Sequence, residues 1–432
     1  MPMKTSERKS HLLQGGRTLT RQHTLASVVA GLALLCPACA VEDPHQPTPE
    51  PGPELFTFGV MQTWNAPIPT PAEVFVADFN ADGRADLAFN SKNGPVNAVY
   101  FAFSAVSDTF VVSNASMHGT AAPEGWEVYE TLIGLFNADA RWDLGWSHTG
   151  TRNRTWYGLS DGVGGIDFAP LTERVEFGWF TFTTVVLDIN GDRIDDLAWN
   201  ETTTQRNRTF PATTDIFGFL DMGLPQSFAA ADWSGFEVTT GDVNGDGRGD
   251  LLWNESTAGS NRTYTGLGRQ DGQFDLSGEF ARGPIATQPA RLRLGDVNGD
   301  GTDDVVWVGP PEMGGDVYVS LAHADATFEH HQPQDVGMPC ASACDLLVGD
   351  FNADGRIDLL WNDRVAGNRS RVALGAASAR FDTSPAVQQH PRPIDWLSYQ
   401  AFVGDVNADG RDDVVWVSSG PITQVHVAFA KP

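Results

Sequence analysis

Basic residues are scarce in this sequence: 28 Lys and Arg stand against 55 Asp and Glu, which gives the 432 residues a formal net charge of −27. A surface this acidic repels phosphate backbones, so we expect no nucleic acid partner. Catalytic motifs are also missing. The ten His never form His-Glu-x-x-His, and the sequence has neither a Gly-x-Ser-x-Gly elbow nor a phosphate-binding Gly-rich loop before a helix. We therefore expect a protein that is not an enzyme.

Long apolar segments are absent as well. The apolar run at residues 25–35 has 11 residues, which is too short to span a bilayer, and it follows a segment rich in Lys and Arg. This pattern predicts a secretory signal within residues 1–40. Two processing routes stay open: Cys-Pro-Ala-Cys is an imperfect lipobox that would lipidate Cys39, which we favour, whereas Ala38-Cys39-Ala40 fits ordinary signal peptidase. Residues 41–53 contain five Pro and three acids and are expected to form an extended linker.

Export sets the expected location and the chemistry of the few Cys residues. The protein would be a lipoprotein of the cell surface or outer membrane, or it would be secreted, and it would touch a membrane only through a lipid on Cys39. The sequence has four Cys. Because exported proteins meet an oxidising environment, Cys340 and Cys344 are predicted to form a local disulfide. A zinc site that combines them with His330 and His331 is the alternative.

What the sequence has in excess is acid, and the acids recur in a fixed pattern. A nine-residue string reads Asp-Phe-Asn-Ala-Asp-Gly-Arg-Ala-Asp at residues 78–86 and Asp-Val-Asn-Gly-Asp-Gly-Arg-Gly-Asp at residues 242–250. Related strings begin at 135, 188, 296, 350 and 405, so successive starts lie 53 to 57 residues apart. We name these strings loops 1 to 7 in chain order and number their positions 1 to 9. A fixed period of this length predicts repeated supersecondary units.

The loop pattern matches the ligand preferences of calcium. Ca²⁺ takes about six to eight hard oxygen ligands, and alternate side chains of a tight loop can supply them. Positions 1, 3, 5 and 9 would give side-chain oxygens, and position 7 would give its main-chain carbonyl. Six loops have this set, so we expect about six Ca²⁺ as cofactors. The predicted ligands are Asp78, Asn80, Asp82, Arg84 and Asp86; Asp188, Asn190, Asp192, Ile194 and Asp196; Asp242, Asn244, Asp246, Arg248 and Asp250; Asp296, Asn298, Asp300, Thr302 and Asp304; Asp350, Asn352, Asp354, Arg356 and Asp358; and Asp405, Asn407, Asp409, Arg411 and Asp413.

Two loops depart from the pattern. Loop 2 has Leu135 at position 1 and Ala140 where the intact loops usually have Gly, so we expect weak or no binding there. Loop 3 keeps all its ligands but has Arg193 at the Gly position, which predicts binding with a strained turn.

The residues around the loops indicate β-strands. An EF-hand would need Glu at position 12, but loops 3 to 7 have Trp there. Short apolar runs precede and follow the loops, and two further strands complete an antiparallel unit of four, which is the blade of a β-propeller. Residues 54–77 and 405–432 together make up nearly one unit. We therefore predict an all-β, seven-bladed β-propeller over residues 54–432, closed by pairing of its N- and C-terminal strands.

The repeat also resembles a known family. The string Asp-Phe-Asn-Ala-Asp-Gly-Arg-Ile-Asp-Leu-Leu-Trp-Asn at residues 350–362, with its 54-residue spacing, resembles the FG-GAP/VCBS repeats of integrin α-subunit propellers and of many bacterial surface proteins. Similar propellers with calcium loops include a fungal lectin that binds N-acetylglucosamine. The resemblance covers roughly residues 54–432. It implies extracellular recognition of a glycan or protein, usually without catalysis, although related propellers are attached to polysaccharide-degrading activities.

Recurrent Trp residues form two sets. Those at loop position 12 are interpreted as packing between blades, and they are Trp146, Trp199, Trp253, Trp307, Trp361 and Trp416. Those nine residues before a loop are Trp126, Trp179, Trp233 and Trp396. Two interpretations of this second set stay open: packing between blades, or ligand binding by stacking on sugar faces.

A further partial repeat is Asn-Arg-Thr or Asn-Arg-Ser at residues 153–155, 207–209, 261–263 and 368–370. It predicts either a turn Asn with an Arg that bridges blades or a symmetric set of polar ligand contacts; N-glycosylation is a third interpretation. The leading hypothesis for the whole chain is a monomeric, calcium-stabilised binding module whose partner is an extracellular glycan or protein. The alternatives are an enzyme or accessory domain acting on extracellular polysaccharide, and a structural component of the envelope.

Overall fold

A computed structural model describes residues 52–432 except 65–67, 69–71, 93–95, 108, 119–121, 123–124, 151, 175–178, 204–205, 229–232, 234, 256–261, 277–290, 310–314, 338–343, 366, 393 and 419–421. The predicted signal segment, Cys39 and nearly all of the linker lie outside the described residues. No described helix is long and apolar enough to cross a membrane. The described chain forms seven antiparallel sheets, which confirms the predicted all-β propeller and its number of blades.

The first three complete blades each have four main strands and one extra short strand. Blade 1 consists of β3 (Glu73–Ala77), β4 (Asp86–Ser91), β5 (Asn97–Ala105), β6 (Thr109–Val112) and β7 (Ser116–His118). Blade 2 consists of β8 (Glu130–Gly134), β9 (Asp143–Thr149), β10 (Asn153–Ser160), β11 (Ile166–Phe168) and β12 (Thr172–Arg174). Blade 3 consists of β13 (Phe182–Leu187), β14 (Asp196–Thr203), β15 (Arg206–Thr214), β16 (Leu220–Met222) and β17 (Gln226–Phe228).

The remaining blades follow the same order. Blade 4 consists of β18 (Phe236–Gly241), β19 (Asp250–Glu255), β20 (Thr263–Gly268) and β21 (Phe274–Leu276). Blade 5 consists of β22 (Arg291–Gly295), β23 (Asp304–Val308), β24 (Val317–Ala322) and β25 (Phe328–His330). Blade 6 consists of β26 (Cys344–Gly349), β27 (Asp358–Asp363), β28 (Arg369–Ala376), β29 (Arg380–Asp382) and β30 (Gln388–Gln389). Blade 7 combines β31 (Tyr399–Gly404), β32 (Asp413–Ser418) and β33 (Thr423–Ala430) with β1 (Phe56–Phe58) and β2 (Gln62–Trp64).

The extra short strands are the main difference from the predicted four-stranded blades. The third strand is eight or nine residues long in blades 1, 2, 3, 6 and 7, whereas the fourth strand covers only three or four of them. The chain therefore returns to pair with the uncovered half of the third strand. In blades 4 and 5 the third strand has six residues, and the described residues of these blades form no extra strand. Short 3-10 helices at Trp126–Val128, Trp179–Thr181 and Trp396–Ser398 lead into the first strand of blades 2, 3 and 7.

The ring closes as predicted, by pairing the two ends of the chain in blade 7. β1 runs antiparallel to β33, with Phe56 opposite Ala430 and Phe58 opposite Ala428. The side chain of Gln388 adds a clamp from blade 6, because its Oε1 accepts the N–H groups of Leu55 and Phe56 at 2.8 and 2.7 Å. The N-terminal strand is therefore held by two blades at once.

The apolar core is divided into seven clusters, one at each boundary between adjacent blades. The Trp residues at loop position 12 are at most 2% exposed and lie in these clusters, as the sequence indicated. Blade 1 has Phe89 at this position. Burying a large side chain contributes roughly 1.5–3 kcal/mol, so these boundaries hold the blades in register around the ring.

Candidate metal centre

The seven loops occupy equivalent places in the fold. Each loop joins the first and second strands of its blade, and the second strand begins at loop position 9 in all seven blades. The loops also touch one another. The N–H of position 8 donates to the position-1 carbonyl of the preceding blade at 2.6–2.9 Å all the way round, including from Ala85 in blade 1 to Asp405 in blade 7. The loops therefore form a closed ring on one face of the propeller.

The main chain of the intact loops turns twice through the left-handed region. Position 4 has a positive φ in all six intact loops, for example 59° at Ala81 and 83° at Gly299. Position 6 has a positive φ in all seven loops and is Gly in five of them. Arg193 adopts φ 73° at this position, as the sequence predicted for a strained turn. A non-Gly residue in this region costs roughly 1–2 kcal/mol, so the rest of loop 3 must hold the turn in place.

Asp at position 1 is the centre around which each intact loop folds. The Oδ1 of Asp78 accepts the N–H of Asp82 at 3.1 Å, and its Oδ2 accepts the N–H of Gly83 at 2.8 Å. The other five intact loops repeat both hydrogen bonds at 2.7–3.2 Å. The carboxylate thus organises the two left-handed turns.

Asp at position 9 has a structural role that the sequence analysis missed. It is 0% exposed in all seven blades. In blade 1 the Oδ2 of Asp86 accepts the N–H of Phe79 at 3.1 Å, and its Oδ1 accepts the N–H of Ser104 at 2.7 Å. Loop 2 repeats this arrangement with Asp143, although it lacks Asp at position 1. The signal in the sequence was this persistence, because a residue needed only for metal would not have to remain in the degenerate loop.

Burial also changes the acidity of these position-9 carboxyls. Removal from water, which disfavours the charged form, raises the pKa of Asp86, Asp143 and Asp250 to about 8, and the acids at positions 1 and 5 add to the effect in Asp86. Burial raises the pKa of Asp304 to about 7. The interior of each loop therefore holds a buried carboxyl whose charged form is disfavoured.

Arg at position 7 was predicted to supply only its carbonyl, but its side chain has a role as well. The guanidinium of Arg84 lies 3.1 Å from Asp82 at position 5, and loops 2, 4, 6 and 7 contain the same pair. Loops 3 and 5 have Ile194 and Thr302 instead. Loop 5 consequently has four Asp and no basic residue among its nine positions.

Loop 2 differs in shape as the missing ligand would suggest. Leu135 cannot accept hydrogen bonds through its side chain, and Ala138 at position 4 does not take the left-handed conformation. The loop keeps two contacts that it shares with intact loops: the Nδ2 of Asn137 donates to Asp139 at 3.0 Å, and Asp139 pairs with Arg141. The expectation of weak or no metal binding in loop 2 stays a prediction.

The intact loops fit calcium in their chemistry. Among the described residues, no group of three or more His, Cys, Asp or Glu side chains is arranged to hold a metal ion, because the carboxylate oxygens point at main-chain N–H groups. The Oδ2 of Asp78 accepts one hydrogen bond, from Gly83, and keeps a lone pair for a cation. The donors are hard oxygens, which calcium prefers, and loop 5 has no basic residue among its nine positions. Binding would require the Asp and Asn side chains to turn and, in loops 1, 4, 6 and 7, the Arg at position 7 to release position 5.

The four Trp residues that precede a first strand do not form a surface site. Trp126, Trp179, Trp233 and Trp396 are at most 2% exposed. Each packs edge-on against the Trp at position 12 of its own blade, with ring centroids 5.8–6.1 Å apart. Their indole faces are covered, so the interpretation as sugar-stacking residues is wrong for this structure, and the packing interpretation accounts for them. The sequence alone did not separate the two because both need an aromatic ring near a loop.

The Asn-Arg-Thr repeat holds each blade together internally. The guanidinium groups of Arg208 and Arg262 pair with Glu201 and Glu255 of the second strand in the same blade, at 2.6 and 2.8 Å. Arg154 pairs with Glu173 at 2.9 Å. These ion pairs therefore join strands of the same blade. The Asn residues Asn153, Asn207 and Asn368 are at most 2% exposed, which leaves no surface for ligand contact.

The predicted disulfide is described at one of its two ends. Cys344, the first residue of β26, is disulfide-bonded. Its predicted partner Cys340 lies outside the described residues. The alternative zinc site would include Cys340, so it stays untested.

Comparison with known proteins places the repeats in a family. A family model described as an FG-GAP-like repeat matches residues 242–307, 296–361 and 350–416. The comparison with curated proteins found no match. Among solved structures, the chain is similar to BBS1N in its complex with ARL6DN (11% identity, TM-score 0.48, covering 88% of this chain and 98% of that one). It is also similar to the exotype rhamnogalacturonan lyase YesX (12% identity, TM-score 0.43, 87% and 74%) and to a Photorhabdus luminescens Tc holotoxin pore (14% identity, TM-score 0.41, 82% and 16%).

The family match covers loops 4 to 7 together with the strands that follow them, in blades 4 to 7. The double left-handed turn of these loops also occurs in blades 1 and 3, whereas loop 2 in blade 2 has only the second of the two turns. The chain therefore contains FG-GAP-like repeats over residues 242–416 and folds as a seven-bladed β-propeller.

Proposed function

We propose that this chain is an exported, calcium-stabilised propeller that recognises an extracellular glycan or protein. The observation that carries the proposal is the set of six intact loops in the ring, each with Asp at positions 1, 5 and 9 and Asn at position 3 in one repeated geometry on one face. A large part of the acidic residues lies in these loops, and the recurrent Trp residues of the blades are used for packing. A rigid ring of this kind suits a binding module, since it can present a preformed surface without internal motion.

Calcium in this proposal has a structural role. Residues 1–40 hold five of the 28 basic residues and one of the 55 acidic residues, so the rest of the chain has a net charge of −31. Extracellular calcium modules have dissociation constants of about 0.1–1 mM, and free calcium tenfold above such a value stabilises by about 1.4 kcal/mol per site. Six independent sites would contribute roughly 8 kcal/mol, which is comparable with the whole stability of a typical domain.

The calcium part of the proposal is tested by thermal unfolding in millimolar calcium and in excess EDTA, with magnesium as the control ion. We expect calcium alone to raise the melting temperature substantially and to slow cleavage by protease. Equal midpoints in calcium and in EDTA would show that the loops need no metal.

The recognition part is tested by a glycan array probed with the exported chain, with and without chelator. We expect binding that is lost when chelator unfolds the ring. Binding of no glycan, together with a failure to retain any cell-surface protein, would refute the recognition role and favour the structural alternative.

A further inference from the structure

Three loops carry an additional Asp at position 8, and each of these reaches into the preceding loop. The carboxylates of Asp195, Asp303 and Asp412 accept the position-1 N–H of Leu135, Asp242 and Asp350 at 2.7, 2.8 and 2.8 Å. The main chain returns the contact in each case, because the N–H of the same Asp donates to the same residue's carbonyl at 2.7–2.8 Å. Position 1 of loops 2, 4 and 6 is therefore fixed on both sides by the next blade.

The chain makes room for these carboxylates with Gly. Gly134, Gly241 and Gly349 immediately precede loops 2, 4 and 6, and a Cβ on each would lie 2.7–2.9 Å from Oδ2 of the Asp at position 8 of the next loop. Loops 1 and 3, which face no such Asp, are preceded by Ala77 and Leu187. Loops 5 and 7 are also preceded by Gly, and there the space is filled by the side chains of Ile357 and Ala85. In three places, therefore, a Gly before one loop leaves space for the Asp side chain of the next blade.

Asp303 lies buried at the contact between loops 4 and 5. Its side chain is 8% exposed, and within the described part of the chain it has no ion pair. Its Oδ2 accepts the N–H of Asp242 in loop 4 at 2.8 Å, and this hydrogen bond fixes the main chain of the first ligand.

We propose that Asp303 and Asp412 are positioning residues that set the calcium affinity of the preceding loop, loop 4 and loop 6 respectively. The inference rests on the proposed calcium role of the loops. Asp195 makes the same contact with loop 2, which lacks the first ligand, and so provides a control within the chain.

The test is calcium-dependent hydrogen exchange followed by mass spectrometry on the full chain, read separately on peptides from loops 4 and 6. In Asp303→Ala, the free calcium needed for half-maximal protection of loop 4 should rise about tenfold, with loop 6 unchanged. In Asp303→Asn, which keeps an oxygen for the Asp242 N–H, the rise should be less than about threefold. Asp412→Ala should shift loop 6 and leave loop 4 unchanged. Asp195→Ala should shift neither.

A second variant and the results that would overturn the positioning role complete the test. If Asp303→Ala does not fold, Gly241→Ala keeps all ligands and displaces the carboxylate, and it should shift loop 4 in the same way. An unchanged midpoint for loop 4 in Asp303→Ala, or an equal shift of every loop, would overturn the positioning role. Absence of calcium-dependent protection in the wild-type chain would refute the proposed calcium function itself, and the inference with it.

Discussion

Two buried histidines at the ring closure predict that acid weakens blade 7. His390 and His426 are 4% and 1% exposed, and their ring centroids lie 5.2 Å apart. They pack among Trp396, Trp416 and Phe58 of the closing strand β1. Within the described structure, Nε2 of His390 and both ring nitrogens of His426 have no hydrogen-bond partner. A proton added to either ring would therefore create a buried charge without compensation.

The magnitude follows from the acidity of the two rings. Burial, and then the charge on the other histidine and on Arg392, lowers the pKa of His390 to about 3; burial and Arg392 lower the pKa of His426 to about 4. An unfolded His has a pKa of about 6.5, so between that value and about pH 4 the unfolded chain binds more protons than the folded one. Stability consequently falls as pH falls through this window. At pH 5 the loss is about 2 kcal/mol per histidine, or about 4 kcal/mol for both.

The assay compares the pH dependence of the free energy of unfolding in the wild type and in His426→Phe, both in EDTA. Phe is a conservative choice because Phe210 occupies the equivalent place in blade 3, opposite Trp199. Because burial raises the pKa of the Asp residues at position 9, these residues make the folded state more stable as pH falls. Both proteins contain them, so their contribution disappears from the difference between the two free energies of unfolding. The variant should lose about 2 kcal/mol less than the wild type between pH 7.5 and pH 5. Parallel curves for the two proteins would refute the reasoning.

Three other predictions test the ring closure, the buried Asp at position 9 and the number of calcium sites. Gln388→Ala should destabilise the chain by about 1–3 kcal/mol and speed hydrogen exchange of Phe56–Phe58, because it removes the buried clamp on two N–H groups, whereas the exposed neighbour Gln389→Ala should do neither. Asp143→Ala should cost about 2–4 kcal/mol even in EDTA, since two buried N–H groups lose their acceptor in a loop without its first metal ligand; an unchanged melting temperature would assign position 9 to metal alone. Leu135→Asp with Ala140→Gly should raise the calcium count in equilibrium dialysis from six to seven, and a wild-type count of seven would show that the ligand set is misread.

The sequence by itself determined the fold and the candidate site. The fixed 54-residue period, the apolar runs beside each loop and the half-unit at each end are local features, and together they required seven blades and a closure by β1 and β33. The loop geometry was equally local. Asp at position 1, Gly at position 6 and Asp at position 9 lie within nine residues, so their spacing alone predicted the turn and the start of the second strand.

Only the tertiary structure decided which residues act between blades. The contact of Asp303 with Asp242 spans 61 residues, and that of Gln388 with Phe56 spans 332, so neither leaves a signal in local spacing. The same holds for Trp126, whose indole is equally suited to a core and to a sugar platform until its neighbours are known. The physical reason is that a repeat fixes the shape of each blade through short-range contacts. Burial and charge balance at the boundaries depend instead on which side chains of two neighbouring blades meet.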